Sequence, residues 1–337
     1  HGIPVSGGIA IGYAHLVSHA RLEVAHYDVP PEQIAGELAR FDAALKTDGG
    51  ALIDVVDGTT LRISASAVVT GTVTEIDGIG VSGLSLTGDD NPHRIIGTVG
   101  NDTLTGGSGD DTIQGGLGTN VLVGGGGNDT FVVDNVGDVV TAGAGTDLIQ
   151  TSVKNATISL NGVSTDAYDI SGVANVENVT LTGTTALGIK GNASANTLTG
   201  NAGDNYLDGF AGADSMAGGG GDDVLFGVGG DDKLFGGTLL VSGRVTVIEI
   251  DGEDFLDGGD GDDYMLGGTG ADSIIGGNGN DALFGQDDSD AMFGGAGNDY
   301  LDGGNGLDMI SGGDVPGDDL GVLQSFAEIG EREGRHW

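Results

Sequence analysis

The chain has 337 residues, of which 70 are glycine against 9 phenylalanines, 6 tyrosines and 1 tryptophan, too little bulky apolar material for a conventional core of this length. A formal charge of −40, from 51 acidic and 11 basic side chains, excludes nucleic acid and anionic lipid as partners and makes any compact form self-repelling unless cations neutralise it. Cysteine is absent, which removes disulfides and thiolate metal sites, and no apolar run approaches the roughly 18 residues of a transmembrane helix.

Residues 1–50 read as a strand and helix segment, with Ile34, Leu38, Phe41 and Leu45 on one helical face after Pro30-Pro31. The first 20 residues carry no charged start followed by a long apolar stretch, so no cleavable export signal is read there, and an opening at His1 suits a processed or partial chain. Residues 51–96 read as short strands leading into a roll. From Gly97 a nine-residue period begins: Gly97-Thr-Val-Gly-Asn-Asp-Thr-Leu-Thr is succeeded without a gap by units starting at Gly106, Gly115 and Gly124. This first block, 97–134, contains no Lys or Arg. Residues 135–190, with stretches such as Ala156-Thr-Ile-Ser-Leu and Val176-Glu-Asn-Val-Thr-Leu, read as spacer strands that continue a solenoid without metal ligands. A second block occupies 191–237, residues 238–250 form an inserted arm with the pattern of a hairpin, and a third block fills 251–313. In the tail, 314–337, Leu323, Phe326 and Ile329 recur at helical spacing, so both ends offer caps for the terminal apolar layer that a repeat array must cover.

The unit is Gly-Gly-x-Gly-x-Asp-x-U-x, with U apolar. Its first six residues suit a tight turn, where glycine takes positive φ and lets backbones approach closely, and the last three suit a short strand. The eighth residue, Leu104, Ile113, Leu122 and Phe131 and later Met265, Ile274, Leu283, Met292, Leu301 and Ile310, then points inward to form a thin core. The predicted fold is all-β: a parallel β-roll, a right-handed β-solenoid, with short helical or irregular caps. Two units complete one coil, so repeats two apart stack, bringing Asp263 near Asp281 and Asp272 near Asp290. Two carboxylates about 4 Å apart repel by roughly 4 kcal/mol at an effective dielectric near 20, and a hard dication reverses the sign.

Ca²⁺, which takes six to eight oxygens in flexible geometry, fits such turns better than Mg²⁺. The candidate ligands are the sixth-position residues Asp102, Asp111, Asp129, Asp214, Asp223, Asp232, Asp254, Asp263, Asp272, Asp281, Asp290, Asp299 and Asp308. Asn120, Asn196 and Asn205 are weaker candidates, and the backbone carbonyls around Gly106, Gly115, Gly124, Gly258, Gly267, Gly276, Gly285 and Gly294 complete the set. Softer metals are not expected, because His1, His15, His19, His26, His93 and His336 all fall outside the arrays. Six independent sites, each at ten times its dissociation constant, would together add about 8 kcal/mol, comparable to a whole domain's stability of about 5–15 kcal/mol. The expectation is a chain unfolded without calcium and folded with it.

These units resemble the hemolysin-type, repeats-in-toxin (RTX) nonapeptide. That resemblance implies calcium ligation by the sixth-position aspartates, folding outside the cell and export by type I secretion machinery, although the ending Gly330-Glu-Arg-Glu-Gly-Arg-His-Trp is unlike the acidic-apolar secretion tail of that family. A second stretch, Gly2-Ile-Pro-Val-Ser-Gly-Gly-Ile-Ala-Ile-Gly-Tyr-Ala with Tyr27-Asp-Val-Pro-Pro and Glu37-Leu-Ala-Arg-Phe, resembles the opening of enzyme I of the phosphoenolpyruvate phosphotransferase system over residues 1–45. That family's phosphorylated-histidine motif, a Gly-Gly pair followed by Ser-His, does not occur, so no phosphotransfer residue is carried over.

Consecutive acids such as Asp222-Asp223 and Asp262-Asp263 could suggest two-metal catalysis, but their repetition favours structural ligands. An EF-hand needs an acidic twelfth ligand, which Asp260-Gly-Asp-Asp-Tyr lacks, and no nucleophile elbow or His-Glu-x-x-His motif is present. The functional expectation is a non-enzymatic, extracellular structural, adhesive or toxin-type module with a cell-surface or polysaccharide ligand. The alternatives are the calcium module of a larger exported protease, lipase or polysaccharide-modifying enzyme and, more remotely, a phosphotransferase-system fragment.

Overall fold

The computed structural model describes residues 59–70, 73–80, 83–160, 163–237 and 252–313, with the strands Ala10–Leu16, Leu22–Asp28, Ile53–Val55 and Val322–Phe326. Every regular element among them is a strand. The chain divides into two compact units, 1–150 and 151–337.

In the first unit, two stacks of short parallel strands alternate along the chain. One contains Ala67–Thr70, Ser85–Thr87, Thr103–Gly107, Val121–Gly126 and Val139–Ala144; the other contains Thr60–Ile63, Glu75–Gly78, Arg94–Ile96, Thr112–Gln114 and Thr130–Val133. Leu104 lies level with Leu122 and Ile95 with Ile113 with Phe131, so each strand pairs with the one two repeats away. Leu22–Asp28 joins the first stack in parallel beside Ala67–Thr70 and forms an antiparallel hairpin with Ala10–Leu16. The expected helix over Ile34 to Leu45 lies outside the described residues.

The second unit repeats the plan. Val163–Asp169, Gly188–Lys190, Tyr206–Asp208, Val224–Gly229, Phe255–Asp260, Ser273–Asn278, Ala291–Ala296 and Met309–Ser311 form one stack. Asn178–Leu181, Thr197–Thr199, Ser215–Ala217, Lys233–Phe235, Tyr264–Thr269, Ala282–Asp287, Tyr300–Asn305 and Val322–Phe326 form the other. This alternation of parallel strands is the right-handed β-roll expected from the repeats. Ala156–Leu160 folds back antiparallel on Val163–Asp169. Val224 pairs with Phe255, and the sixth-position residues on that coil are 31 apart rather than 18, so the extra residues, 238–250, do not shift the register of the strands on either side. The hairpin expected within 238–250 lies outside the described residues. One expectation is corrected: Leu323 and Phe326 belong to a strand, not a helix, because Val322–Phe326 pairs in parallel with Tyr300–Asn305 and takes up the hydrogen-bonding edge that strand would otherwise leave open.

The pleat explains the core. Leu104, Ile113, Leu122, Phe131, Met265, Ile274, Leu283, Met292 and Leu301 are fully buried, each contributing about 1.5–3 kcal/mol, while Ile310 near the end is only partly covered. Outward-facing seventh and ninth positions carry a ladder of rings, Phe235, Tyr264, Phe284 and Tyr300, with successive centroids 6.3, 5.3 and 5.5 Å apart. Such pairs add about 0.5–1.5 kcal/mol each.

The turns need left-handed backbone at the second and fourth positions. Gly125 (φ 117°) and Gly127 (φ 102°) supply it, and a methyl on Gly125 would run into the carbonyl of Gly107, two repeats back. Val228 (φ 78°) occupies a second position without glycine's freedom, which for a β-branched residue costs about 1–3 kcal/mol. Val228→Gly is therefore expected to stabilise the folded chain by up to about 1 kcal/mol after glycine's larger unfolded-state entropy is deducted, measured as a raised thermal midpoint in saturating calcium. An unchanged or lowered midpoint would show that the turn carries no strain.

Candidate metal centres

Each sixth-position side chain turns inward beneath its own turn, and its two oxygens have different fates. Oδ1 accepts a hydrogen bond from the backbone N–H of the sixth-position residue one coil earlier. Asp111 donates to Asp129 at 2.8 Å and Asp129 to Asp147 at 2.7 Å; Asp214 donates to Asp232 and Asp232 to Asp263, both at 2.7 Å. Asp263 donates to Asp281, Asp254 to Asp272 and Asp272 to Asp290, each at 2.9 Å. Asp281 to Asp299 (3.1 Å) and Asp290 to Asp308 (3.2 Å) extend the rows. The expected proximities of Asp263 to Asp281 and Asp272 to Asp290 are present in this form.

Oδ2 has no partner. In Asp111, Asp129, Asp214, Asp223, Asp232, Asp263, Asp272, Asp281, Asp290, Asp299 and Asp308 it is buried without a hydrogen bond. A buried carboxylate oxygen left unpaired is costly, and it marks where a cation fits. Each such oxygen lies over the first glycine of its own turn and, in all of them but Asp299 and Asp308 at the end of the array, opposite the carbonyl of the first residue one coil later. A methyl on Gly106 would meet Asp111 Oδ2 and the Gly124 carbonyl; on Gly258, Asp263 Oδ2 and the Gly276 carbonyl; on Gly276, Asp281 Oδ2 and the Gly294 carbonyl. The carbonyls of Gly106, Gly115, Gly258, Gly267 and Gly285 stand likewise over Gly88, Gly97, Gly227, Gly236 and Gly267. Among the described residues no three carboxylate or imidazole groups meet at one point, so a cation here draws on backbone oxygens as well as side chains. An all-oxygen set of carboxylate and carbonyl donors suits Ca²⁺.

Not every candidate leaves an oxygen free. Asp102 Oδ2 accepts from the Thr98 N–H at 2.6 Å. Asn120 directs its amide nitrogen over Gly115 and donates to the Gly116 carbonyl at 3.3 Å, placing a donor where an acceptor would be needed. Asn196 and Asn205, which begin the two rows of the second unit, donate to the Glu177 carbonyl (3.3 Å) and the Leu187 carbonyl (3.0 Å), while their side-chain oxygens accept from the N–H groups of Asn192 and Asn201. These amides complete their own hydrogen bonding.

The spacer expected to lack ligand-like residues does not. Asp138 Oδ1 accepts from Asn120 N–H and Asp147 Oδ1 from Asp129 N–H, and both side chains are turned inward, with Asp138 Oδ2 buried and without a hydrogen bond. Both stand in phase, nine residues apart after Asp129, with Val140 and Ile149 two places on; the loss of glycines at the first position hid them. His93 was missed because its turn keeps glycine only at the first position, Gly88, and its sixth residue is not an acid; it heads a row, its backbone N–H donating to Asp111 Oδ1 at 2.7 Å. The consecutive acidic pairs separate: Asp262 faces outward and accepts from Asn280 N–H at 2.7 Å, whereas Asp263 belongs to the inner row.

Burial pushes these carboxyls up, to about 7 in Asp129, Asp214, Asp263 and Asp290, about 8 in Asp223 and Asp272, and about 6 in Asp232, Asp254 and Asp281. The N–H bond to Oδ1 opposes that shift, and in most of them charges along the row reinforce it.

Residues 96–131, 190–225, 208–238, 251–283 and 284–314 match the family model described as RTX calcium-binding nonapeptide repeat. The arrays are RTX repeats. Residues 1–69 match the model of the PEP-utilising enzyme N-terminal region. There the chain is 54% identical over 44 residues to a phosphoenolpyruvate-protein phosphotransferase of Cupriavidus necator, an alignment covering 13% of this chain and 8% of that relative's length.

Because folded aspartate values of about 6–8 in the RTX rows exceed the ordinary 3.8, the metal-free roll is most favoured below about pH 4 and loses that contribution as pH rises through about 8. In chelator, circular dichroism should therefore show more β structure at pH 5 than at pH 8, and calcium added at pH 7 should release protons into weakly buffered solution; equal β content at both pH values would contradict the burial of these carboxyls. Gly276→Ala, a methyl placed between Asp281 Oδ2 and the Gly294 carbonyl at a position with no left-handed φ, should cost about 1–3 kcal/mol in the calcium-loaded protein, read from denaturant midpoints.

Proposed function

We propose that the chain is a non-enzymatic, secreted calcium-binding β-roll that folds where calcium is abundant, outside the cell, and acts there as a structural or adhesive module. The observation supporting this most is the run of buried Oδ2 atoms without a hydrogen bond, most of them facing a backbone carbonyl across a glycine, as Asp263 faces the Gly276 carbonyl over Gly258. On this reading Asp111, Asp129, Asp214, Asp223, Asp232, Asp254, Asp263, Asp272, Asp281, Asp290, Asp299 and Asp308 hold the ions, joined by Asp138 and Asp147, with Asp102 and the three asparagines closing or interrupting rows. Bound Ca²⁺ supplies positive charge where carboxylates would otherwise repel. The residues do the rest: the N–H to Oδ1 bonds fix each carboxylate's direction, and the fully buried eighth-position side chains keep water from the interior. Metal binding and folding then become a single equilibrium, since an unfolded chain holds no formed site. Type I secretion and a surface polysaccharide ligand accord with this reading.

A second reading concerns residues 1–69, where the PEP-utilising match favours a phosphotransferase-type role. Absence of label transfer from radioactive phosphoenolpyruvate to the chain would remove it.

The deciding measurement is far-UV circular dichroism of chelated protein titrated with Ca²⁺, with Mg²⁺ as the control. A cooperative coil-to-β transition with Ca²⁺ alone is expected, and Asp272→Asn should raise the midpoint concentration about tenfold, equivalent to roughly 1.4 kcal/mol. A chain already folded in chelator at pH 8 and indifferent to calcium would sink the proposal.

A further inference from the structure

One turn of the first unit departs from the oxygen-only pattern. In Gly88-Asp-Asp-Asn-Pro-His-Arg-Ile, residue 93 holds the sixth position and Ile95 the buried eighth, but the side chain beneath the turn is imidazole. It is fully enclosed, with a side-chain exposure of 0%. Neither ring nitrogen makes a hydrogen bond. A methyl on Gly88 would touch His93 Nδ1 and the carbonyl of Gly106, as a methyl on Gly106 would touch Asp111 Oδ2 and the carbonyl of Gly124. Nδ1 has thus taken the place that the unpaired carboxylate oxygen has elsewhere in the row.

The surroundings of the ring are those of a metal-binding histidine. Nδ1 is 3.6 Å from Asp111 Oδ1, and the same carboxylate's Oδ2 is buried and unpaired. On the other side, Nε2 is 3.6 Å from Asp89 Oδ1. A carboxylate on the distal side of the ring favours a proton on Nε2 over one on Nδ1, and Nδ1 is the nitrogen that faces the cradle. Ca²⁺ prefers oxygen throughout, whereas imidazole combined with carboxylate suits divalent zinc, nickel or cobalt.

We propose that this first turn is a separate metal site, taking one nitrogen-preferring divalent transition ion through His93 Nδ1, Asp111 and the carbonyl of Gly106, at the head of a row whose later positions take calcium. Only the likeness of its cradle to the others rests on the calcium reading, and the two can fail separately.

The test uses the full chain saturated with Ca²⁺, its folding first confirmed by circular dichroism, and then titrated with Co²⁺ while the visible absorption and bound equivalents are recorded. His93→Asp restores the repeat's usual residue, and His93→Asn places there an amide of the kind the fold already accommodates at Asn120. Both variants should bind one equivalent of Co²⁺ fewer than the unmodified chain, the histidines at 1, 15, 19, 26 and 336 being common to all three. Excess Zn²⁺ should displace that equivalent and excess Ca²⁺ should not. X-ray absorption at the cobalt edge, performed on the unmodified chain, should show imidazole scattering. Equal stoichiometry in all three proteins, no Co²⁺ retained in calcium, or an oxygen-only coordination sphere would each overturn the site. Failure of the preceding calcium step would instead count against the calcium roll.

Discussion

The divided use of each inward aspartate carboxylate is the interaction on which the rolls depend. One oxygen is tied to the backbone of the preceding coil, as in the 2.9 Å bond from Asp263 N–H to Asp281, and this both joins adjacent coils and removes the side chain's freedom to turn away. The other oxygen is consequently left in a buried cradle with no donor within reach. A geometry that satisfies the backbone therefore leaves a row of anionic oxygens unsatisfied, and burial raises their proton affinity accordingly. Protons and cations compete for the same atoms. Folding, ionisation and metal occupancy are three aspects of one balance.

Much of the rest comes from making that row possible. The first glycine of each turn lacks a side chain because the carboxylate and a carbonyl occupy that space, and later glycines lack one because successive turns stack with their backbones almost in contact. So many glycines leave, in most repeats, a single buried apolar side chain beside the buried sixth-position residue, and the apolar core is about one residue thick. Outside, rings such as Tyr264 and Phe284 add cohesion that the interior lacks. The residues at 238–250 can be inserted because coils interact through strand register, and Val224 still meets Phe255; lengthening a connection between coils adds only a small, logarithmic entropy cost.

The rows end by changing the chemistry of the sixth residue. At Asn196 and Asn205 a neutral amide provides both a donor and an acceptor, so no atom is left unpaired where there is no preceding turn of the same kind. At Asp102 the hydroxyl-bearing Thr98 replaces the small residue usual at that position, and its N–H takes the oxygen that would otherwise face a cation. His93 is a third solution, with a nitrogen in the oxygen's place. A periodic sequence is thus tuned at its irregular positions, where a repeat pattern alone carries least information.

A nine-residue period, an acid at its sixth place and an apolar residue at its eighth were enough to establish a parallel β-roll, its inward side chains and the class of cation it suits, because each is a local rule repeated in phase. Asp138, Asp147 and His93 were not legible as members of the rows, since each turn departs from the motif, with Val133 and Ala142 in place of the first glycine or a histidine in place of the acid, and only stacking against Asn120, Asp129 and Asp111 identifies them. The strand formed by Leu323 and Phe326 was hidden too: its spacing suits a helix, and the open edge of Tyr300–Asn305 decided otherwise. Which oxygen of each carboxylate is bonded, and which asparagines satisfy themselves, also came from tertiary structure alone. Those outcomes depend on a partner one full coil away, and a hydrogen bond between residues 18 apart is a property of the stacked backbone, to which the identity of either residue gives no direct clue.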